Sequence, residues 1–535
     1  MAIKIQKRLS EFFTEETAAR ADLITRRGAA NPVISSLEYD SRKVQPGSLY
    51  FALPGLHTDG HKFIGDAIQK GAAAIVHEAE TDVKDNRAVF LRVKNSRFSM
   101  SPIAAAFYGF PSRRLVTAGI TGTEGKSTTV YLLWQLLQLM GRKTGFFSTV
   151  QYSDGTEEQW NPEHQTTPEA PTVQRLLWEM AENGCAYAVV ESSSHGLSPR
   201  TNRLGDVEFD SAAFTTLTRD HLEFHGTWEQ YRDDKANLFR ALNRKQEKKN
   251  IGNTVFHKPF AVLNADDKSA PYFGGVTKRK KVSYSVSGKD ADLSIKLIES
   301  DAYGNWYNVF IAAENTAVTI RDRLPGSFNA GNVLAALLTA SGLTGVPVSE
   351  IALLCPRLQP VRGRMTSVDK GQPYEVMVDF AHTPSSFQAV LPPLRKRIDS
   401  NGGRIICLFG SAGERDTQKR AEQGMIAAEY SDIIILADED PRGEKPMDIL
   451  EEIAEGVFAC EAGKGGTFKK NKNLFLIPDR PTAIRKALSL ARKKDIVLLL
   501  GKGHENSIIY ANHVMPYDEV AETEKALEER GTGRL

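Results

Sequence analysis

Apolar residues along this chain fall into two recurring patterns. Short unbroken runs bounded by glycine and polar residues predict buried strands, and longer segments with apolar residues every three or four positions predict helices. Residues 115–121 form such a run. It is followed by glycines and then by Leu132, Leu133, Leu136, Leu137 and Met140 at helical spacing before Gly141. This predicts a strand, a tight loop and a helix. Runs at 186–190 and 211–216 continue the alternation toward a largely parallel sheet, and a β-rich stretch follows around 282–320. The clearest alternation lies in the last third. Runs at 376–378, 405–409, 433–436, 474–477 and 496–500 are separated by helical patterns, as in a doubly wound sheet.

Proline and glycine interrupt the pattern at Tyr108-Gly-Phe-Pro-Ser112 and at Cys355-Pro-Arg-Leu-Gln-Pro-Val-Arg-Gly-Arg364. The chain is therefore expected to be an α/β protein of three domains: 1–112, a central 113–358 with a mainly parallel sheet, and a doubly wound, Rossmann-like 359–535. Its 535 residues suit about three domains at roughly 100–200 residues each. A net charge of +2 gives no electrostatic reason to expect nucleic acid or a membrane as partner. The first residues lack the apolar core of a signal peptide, and no segment is long and apolar enough to span a bilayer. Four cysteines without metal spacing read as reduced thiols, so a cytoplasmic location is expected.

Chemistry concentrates at the ends of the strands. Thr121-Gly-Thr-Glu-Gly-Lys126-Ser127 joins strand to helix with glycines, a lysine and a hydroxyl, which suits backbone amides cradling phosphates and a Ser hydroxyl on Mg²⁺. Ile120 stands where a standard phosphate loop begins with glycine, so a ligand-free glycine turn is the competing reading. Glu191, at a strand end beside that loop, is placed for Mg²⁺, with a strand-end Glu in solvent as the competing reading. Asp220 and His221 could be further ligands, and His225 could equally be a turn residue. Thr227-Trp-Glu-Gln230 is a capping-box pattern opening a helix whose apolar face carries Trp228, Tyr231, Leu238, Leu242 and also Lys235. Such a lysine ordinarily buries its stem and snorkels. Were its amine desolvated instead, its pKa would fall and it could take up CO₂ as a carbamate, an anionic metal ligand. In the last third, 379–382, 410–416, 438–442 and 501–505 all follow strands and should line one crevice.

These motifs resemble the Mur ligase family, in particular its third-residue-adding MurE branch. The resemblance spans essentially the whole chain and rests on 121–127, Thr166-Thr-Pro-Glu169, Glu191-Ser-Ser-Ser-His195, 219–226, 324–332, Asp379-Phe-Ala-His-Thr-Pro384, Asp440-Pro-Arg442 and Gly501-Lys-Gly-His-Glu505. It implies an ATP-dependent amide ligase of peptidoglycan synthesis that joins an amino acid to UDP-N-acetylmuramoyl-L-alanyl-D-glutamate. By likeness, Gly122, Thr123, Gly125, Lys126, Ser127 and Thr128 would hold the ATP phosphates, Asn329 and Asn332 the adenine, and Arg364 and Asp379 the ribose side. Ser127 and Glu191 would serve one Mg²⁺, with His221 and carbamylated Lys235 on a second. Lys126, Glu191, His221 and Lys235 would be the catalytic set. Ser41, His57 and Thr58 would meet the UDP end, and Thr166, Thr167, Ser193 and Arg203 the muramoyl-peptide. Arg415, Asp440, Arg442, Gly501 and Glu505 would receive the amino acid. Small-molecule substrates and a monomer are implied.

The chain departs from the family pattern in places. Glu124 replaces the usual Asn in the loop, Arg200-Thr-Asn-Arg203 looks longer than usual, and Asp-Asn-Pro-Arg appears as Glu439-Asp-Pro-Arg442. Asp440 adds negative charge where Asn is neutral, which favours lysine or ornithine over meso-diaminopimelate as the added residue, whereas the retained Arg442 pulls the other way. Two rival readings are another ligase of the same superfamily, such as the folylpolyglutamate branch, and a non-catalytic ATP and UDP-sugar sensor.

Overall fold

The computed structural model describes residues 5–55, 58–161, 165–244, 249–251, 254–256, 258–300, 304–324, 326–460 and 468–531. The chain divides into two compact units, one of residues 1–296, 309–318 and 331–354, the other of 297–308, 319–330 and 355–535.

The first unit holds two main sheets. In the N-terminal one, β1 (Leu23–Arg27), β5 (Val89–Val93), β4 (Ala74–His77), β3 (Ser48–Phe51) and β2 (Ser36–Glu38) lie in that order, with only β1 antiparallel to its neighbour. Every residue of β3 and β4 is buried, the pattern of parallel strands covered on both faces. Helix α1 (Ser96–Phe107) begins where Asn95 accepts a hydrogen bond from the Phe98 amide, and Phe107 packs edge-on to Phe12 at 5.1 Å.

In the second sheet, β7 (Thr144–Phe147), β8 (Tyr187–Glu191), β6 (Val116–Thr121), β9 (Ser211–Phe214), β10 (Phe260–Asn264) and β11 (Lys280–Ser285) pair in parallel in that order. Helices α2 (Lys126–Leu139), α3 (Ala170–Glu182) and α4 (Trp228–Ala241) connect them. The loops after β6, β8 and β9 consequently emerge side by side. Strands Leu293–Ser300, Asn305–Ile311 and Thr316–Asp322 supply the β-rich stretch expected from the sequence. Ser112, at the first interruption, is packed rather than loose. Its hydroxyl accepts from the Glu208 amide at 3.0 Å, and its carbonyl accepts from the buried Lys249 ammonium at 2.7 Å.

In the second unit a short strand, Thr366–Ser367, runs antiparallel to β12 (Glu375–Asp379). Beyond it β16 (Ile496–Leu500), β13 (Ile405–Phe409), β14 (Ile433–Leu436) and β15 (Leu474–Leu476) follow in parallel. Met377, Cys407, Ile434 and Leu498 pack with Phe387, Ile426 and Ile453 of α6 (Pro384–Asn401), α7 (Gln418–Tyr430) and α8 (Pro446–Ala459). Their alternates Val378, Leu408, Ile435 and Leu499 pack with Ile484 of α9 (Arg480–Leu490) and Leu527 of α10 (Glu519–Gly531). Alternating side chains thus bury both faces, which makes the strands continuously apolar. Arg480, fully buried, donates to both carboxylate oxygens of the equally buried Glu519 at 2.7 and 2.8 Å, and to the Asp438 and Leu500 carbonyls. The four cysteines are buried and form no disulfide, and among the described residues no helix is long and apolar enough to cross a membrane.

Candidate functional site

The loop after β6 turns directly into α2. Gly125, at φ +80°, is its N-cap, and a Cβ there would stand 2.4 Å from the Asn332 Oδ1, so only glycine fits. Gly119 belongs to a different constraint: inside β6, its missing Cβ makes room for Leu238 of α4. The loop is fastened from the neighbouring strand end. Thr123 donates its amide to the Thr216 carbonyl at 2.6 Å, and the Thr215 hydroxyl donates to the Glu124 carbonyl at 2.6 Å. The Lys126 ammonium reaches back to the Thr123 carbonyl at 2.8 Å, and Asn332 accepts from the Thr129 hydroxyl at 3.3 Å. Amides of a helix N-terminus with a lysine beside them form an anion site.

At the end of β8, Glu191 is buried and hydrogen-bonded through both oxygens. Oε1 accepts from the Ser127 hydroxyl at 2.9 Å and the Thr149 hydroxyl at 3.0 Å, and Oε2 from the Thr149 amide at 2.7 Å. Thr149 carried no signal in the sequence. Thr167 donates to the Glu191 carbonyl at 2.9 Å and accepts from the Ser193 amide at 3.0 Å, while Arg203 donates to the Thr167 carbonyl at 2.8 Å. Thr167, Ser193 and Arg203 therefore meet next to Glu191, and Thr166 adjoins Thr167.

Helix α4 begins at Thr227, whose hydroxyl accepts from the Gln230 amide at 3.1 Å. Of the two readings open for Lys235, snorkelling or desolvation, the structure has the desolvated amine. Its ammonium is buried and donates to the Gly122 carbonyl at 2.6 Å, 4.6 Å from the Tyr231 ring centre, because α4 lies under the loop and leaves no path to solvent. Burial first, and the nearby Lys126 second, hold its pKa well below the usual lysine range, against the pull of Asp220 and Glu191. Tyr231 meets the Thr123 hydroxyl at 3.0 Å. The neighbouring Asp234 accepts from His225 Nδ1 at 2.7 Å, and His225 Nε2 meets the Ser194 hydroxyl at 3.0 Å, all three buried. That chain ties α4 to the loop after β8, so His225 is a buried anchor rather than a turn residue. His221, at φ +52°, is partly exposed; its Nε2 lies 3.3 Å from Asp220 and its Nδ1 3.5 Å from Glu223.

In the N-terminal sheet region the Ser41 carbonyl accepts from Lys70 at 2.8 Å and Thr58 is exposed, while His57 lies outside the described residues. Asn329 and Asn332 both fall in α5 (Asn329–Thr344), and both are buried.

In the second unit β12, β16, β13 and β14 are adjacent and parallel, so the four polar motifs leave one edge of the sheet together. Asp379, buried, accepts from the Met365 and Ala381 amides at 2.7 and 2.8 Å, and the Arg364 guanidinium lies over Phe380 at 4.5 Å. The buried Lys502 bridges Asp440 at 2.9 Å and Glu505 at 2.6 Å. Asp440 also accepts from the Ile509 amide at 3.0 Å. The charge of Asp440 is thus partly offset inside the protein by Lys502, which it shares with Glu505. One ammonium therefore serves two carboxylates, and a third stands beside them. Glu439 is buried with Oε2 lacking a hydrogen bond, close enough to Gly501 that a Cβ there would stand 2.7 Å away. Glu505 is raised to about 7 by burial, with Asp440 and Glu439 adding to it against Lys502. Arg442, at φ +53°, donates its amide to the Ile509 carbonyl, and Arg415 is exposed on the loop after β13.

A phosphate loop on a central parallel sheet, with a second parallel sheet that gathers charged motifs at its strand ends, defines a nucleotide-using α/β enzyme of more than one domain. Comparison with known families matches residues 33–108 to the Mur ligase family, catalytic domain, 120–340 to the Mur ligase middle domain, and 363–503 to the Mur ligase, glutamate ligase domain. The UDP-N-acetylmuramyl-tripeptide synthetase of Treponema denticola is 48% identical over 94% of this chain and 95% of its own. The UDP-N-acetylmuramoyl-L-alanyl-D-glutamate–2,6-diaminopimelate ligase of Geobacillus kaustophilus is 37% identical over 94% and 96%. The crystal structure of the MurF ligase of Thermotoga maritima in complex with ADP has the same fold, with a TM-score of 0.59 at 19% identity, covering 92% of this chain and 98% of that one. The chain belongs to the Mur ligase family, with that family's three-domain architecture, and is a ligase.

Proposed function

We propose that this protein uses ATP to join the third amino acid to UDP-N-acetylmuramoyl-L-alanyl-D-glutamate, in the cytoplasm, through an acyl phosphate. The observation that carries the reading is the meeting of Lys126, Ser127–Glu191 and Lys235–Gly122 around one phosphate loop, within a chain so similar to tripeptide synthetases. The attack of a carboxylate on the γ-phosphorus brings two anions together, and Lys126 with the loop amides offsets that repulsion. Thr167, Ser193 and Arg203 orient the acceptor peptide. The amine then displaces phosphate, and Arg415, Asp440, Arg442, Gly501 and Glu505 receive the amino acid that carries it.

Ser127 and Glu191 fit a Mg²⁺ ion. They offer two hard oxygen ligands 2.9 Å apart beside the loop. No group of three or more His, Cys, Asp or Glu among the described residues could hold an ion, so phosphate and water would complete its shell. A bound Mg²⁺ supplies charge neutralisation on the transferring phosphoryl oxygens. His221 would serve a second ion after release from Asp220. Lys235 suits carbamylation, since burial favours the neutral amine that reacts with CO₂.

The added residue is read as lysine or ornithine. Support comes from the grouping of Asp440, Glu505 and the buried Glu439 about the single ammonium of Lys502, an excess of carboxylates that favours a cationic side-chain end. Phosphate release from ATP is expected only when the nucleotide-sugar dipeptide and an amino acid are both present. Release independent of either would overturn the ligase reading, and turnover with meso-diaminopimelate alone would overturn the choice of residue.

A further inference from the structure

Residues 202–206 follow the loop that carries Ser193 and are fastened to the helices of the N-terminal sheet. Asn202 donates to the Phe98 carbonyl at 3.0 Å, the Asp206 amide donates to the Ser101 hydroxyl at 3.1 Å, and Arg20 pairs with Asp206. Within this seam lies an ion triplet. Arg97, in the first turn of α1, donates to Glu169 Oε1 at 2.6 Å, and Arg203 donates to the same oxygen at 3.0 Å. Glu169 is the N-cap of α3 and is 6% exposed at its side chain, Arg203 12%. Glu169 Oε2 and Arg203 Nε are buried without hydrogen bonds.

Two guanidinium groups facing one carboxylate leave a net positive charge next to Thr167 and Ser193, with Glu169 and Arg203 nearly buried and Arg97 reaching solvent at 29%. Arg97 and Arg203 share Glu169 Oε1, so the pull of that carboxylate on Arg203 is divided and Arg203 keeps a donor on the Thr167 carbonyl. We infer that Arg97 is a positioning residue for the anionic acceptor peptide, acting through Glu169 on Arg203. The inference rests on the function proposed above. It gives the longer stretch at 200–203 a purpose, since those residues carry Arg203 to the seam between the N-terminal and central sheets.

Arg97→Met lets Glu169 claim Arg203. The KM for UDP-N-acetylmuramoyl-L-alanyl-D-glutamate should then rise about tenfold, while kcat and the KM for ATP stay within about twofold. Arg97→Lys should restore part of the loss. Arg20→Met, which cuts the same seam at Asp206 without touching Glu169, should keep the wild-type KM. An unchanged KM in Arg97→Met, or an equal rise in Arg20→Met, overturns the inference. If Arg97→Met does not fold, Arg97→Gln carries the same comparison. A wild-type protein that releases no phosphate with any amino acid overturns the function reading instead.

Discussion

Lys235→Met separates the stability of this site from its chemistry. Keeping an ammonium away from water costs several kcal/mol even after the surroundings relax. Against that stand a charge-assisted hydrogen bond to Gly122, about 1.5–3 kcal/mol, and contact with the Tyr231 ring, about 1–2 kcal/mol. The gains do not exceed the cost, in keeping with a pKa held well below the usual lysine range, so the neutral amine is favoured and lysine is not present for stability. Methionine fills nearly the same volume and loses mainly the partner of the Gly122 carbonyl. The variant should therefore stay within about 2 kcal/mol of the wild type, a shift of a few degrees in melting temperature. Phosphate release should nevertheless fall at least about 100-fold, the scale on which a preorganised group at the transferring phosphate acts. The assay is coupled phosphate release with both substrates saturating, beside calorimetric melting of the same samples. A variant that retains more than about a third of wild-type turnover refutes the role of Lys235. A melting temperature lowered by more than about 10 °C refutes the claim that the lysine is neutral for stability. If the working form is the carbamate, wild-type activity should also fall in CO₂-depleted buffer and return with bicarbonate.

Gly125→Ala forces a Cβ to 2.4 Å from the Asn332 amide at φ +80°, and titration calorimetry should show lost nucleotide binding with the fold retained; unchanged binding would remove the loop from the nucleotide site. Glu505, raised to about 7 from 4.5, should become an anion as pH rises through about 7, so the KM for the amino acid should fall between pH 6 and 8 and the step should vanish in Glu505→Gln. Between those two pKa values the folded chain keeps a proton that the unfolded chain has released, so this group lowers stability as pH rises across that window. Urea midpoints of Glu505→Gln should lack that component of the slope.

The doubly wound sheet of the last third was legible because each strand is an unbroken apolar run, the consequence of burial on both faces at Met377/Val378 and Cys407/Leu408. The phosphate loop was legible because its glycines, lysine and serine are contiguous. What escaped is pairing across sequence distance. Nothing near Glu191 announces Thr149, nothing near Asp440 announces Lys502, and nothing near His225 announces Ser194 and Asp234. Such contacts are decided by which strand ends emerge side by side, and they have no local period. The depth of Lys235 has the same origin: helical spacing placed it on the apolar face and left snorkelling and desolvation both open, and the approach of α4 to β6 over Gly119 decides between them.

The lock between Arg480 and Glu519 makes the final helix a keystone for its unit. Fragments cut before residue 519 would strand a guanidinium in an oily interior, a defect of about 3–5 kcal/mol, enough to expose the whole sheet to proteases. A nonsense change ahead of Glu519 should therefore read in cells as loss of the entire polypeptide rather than as a trimmed enzyme.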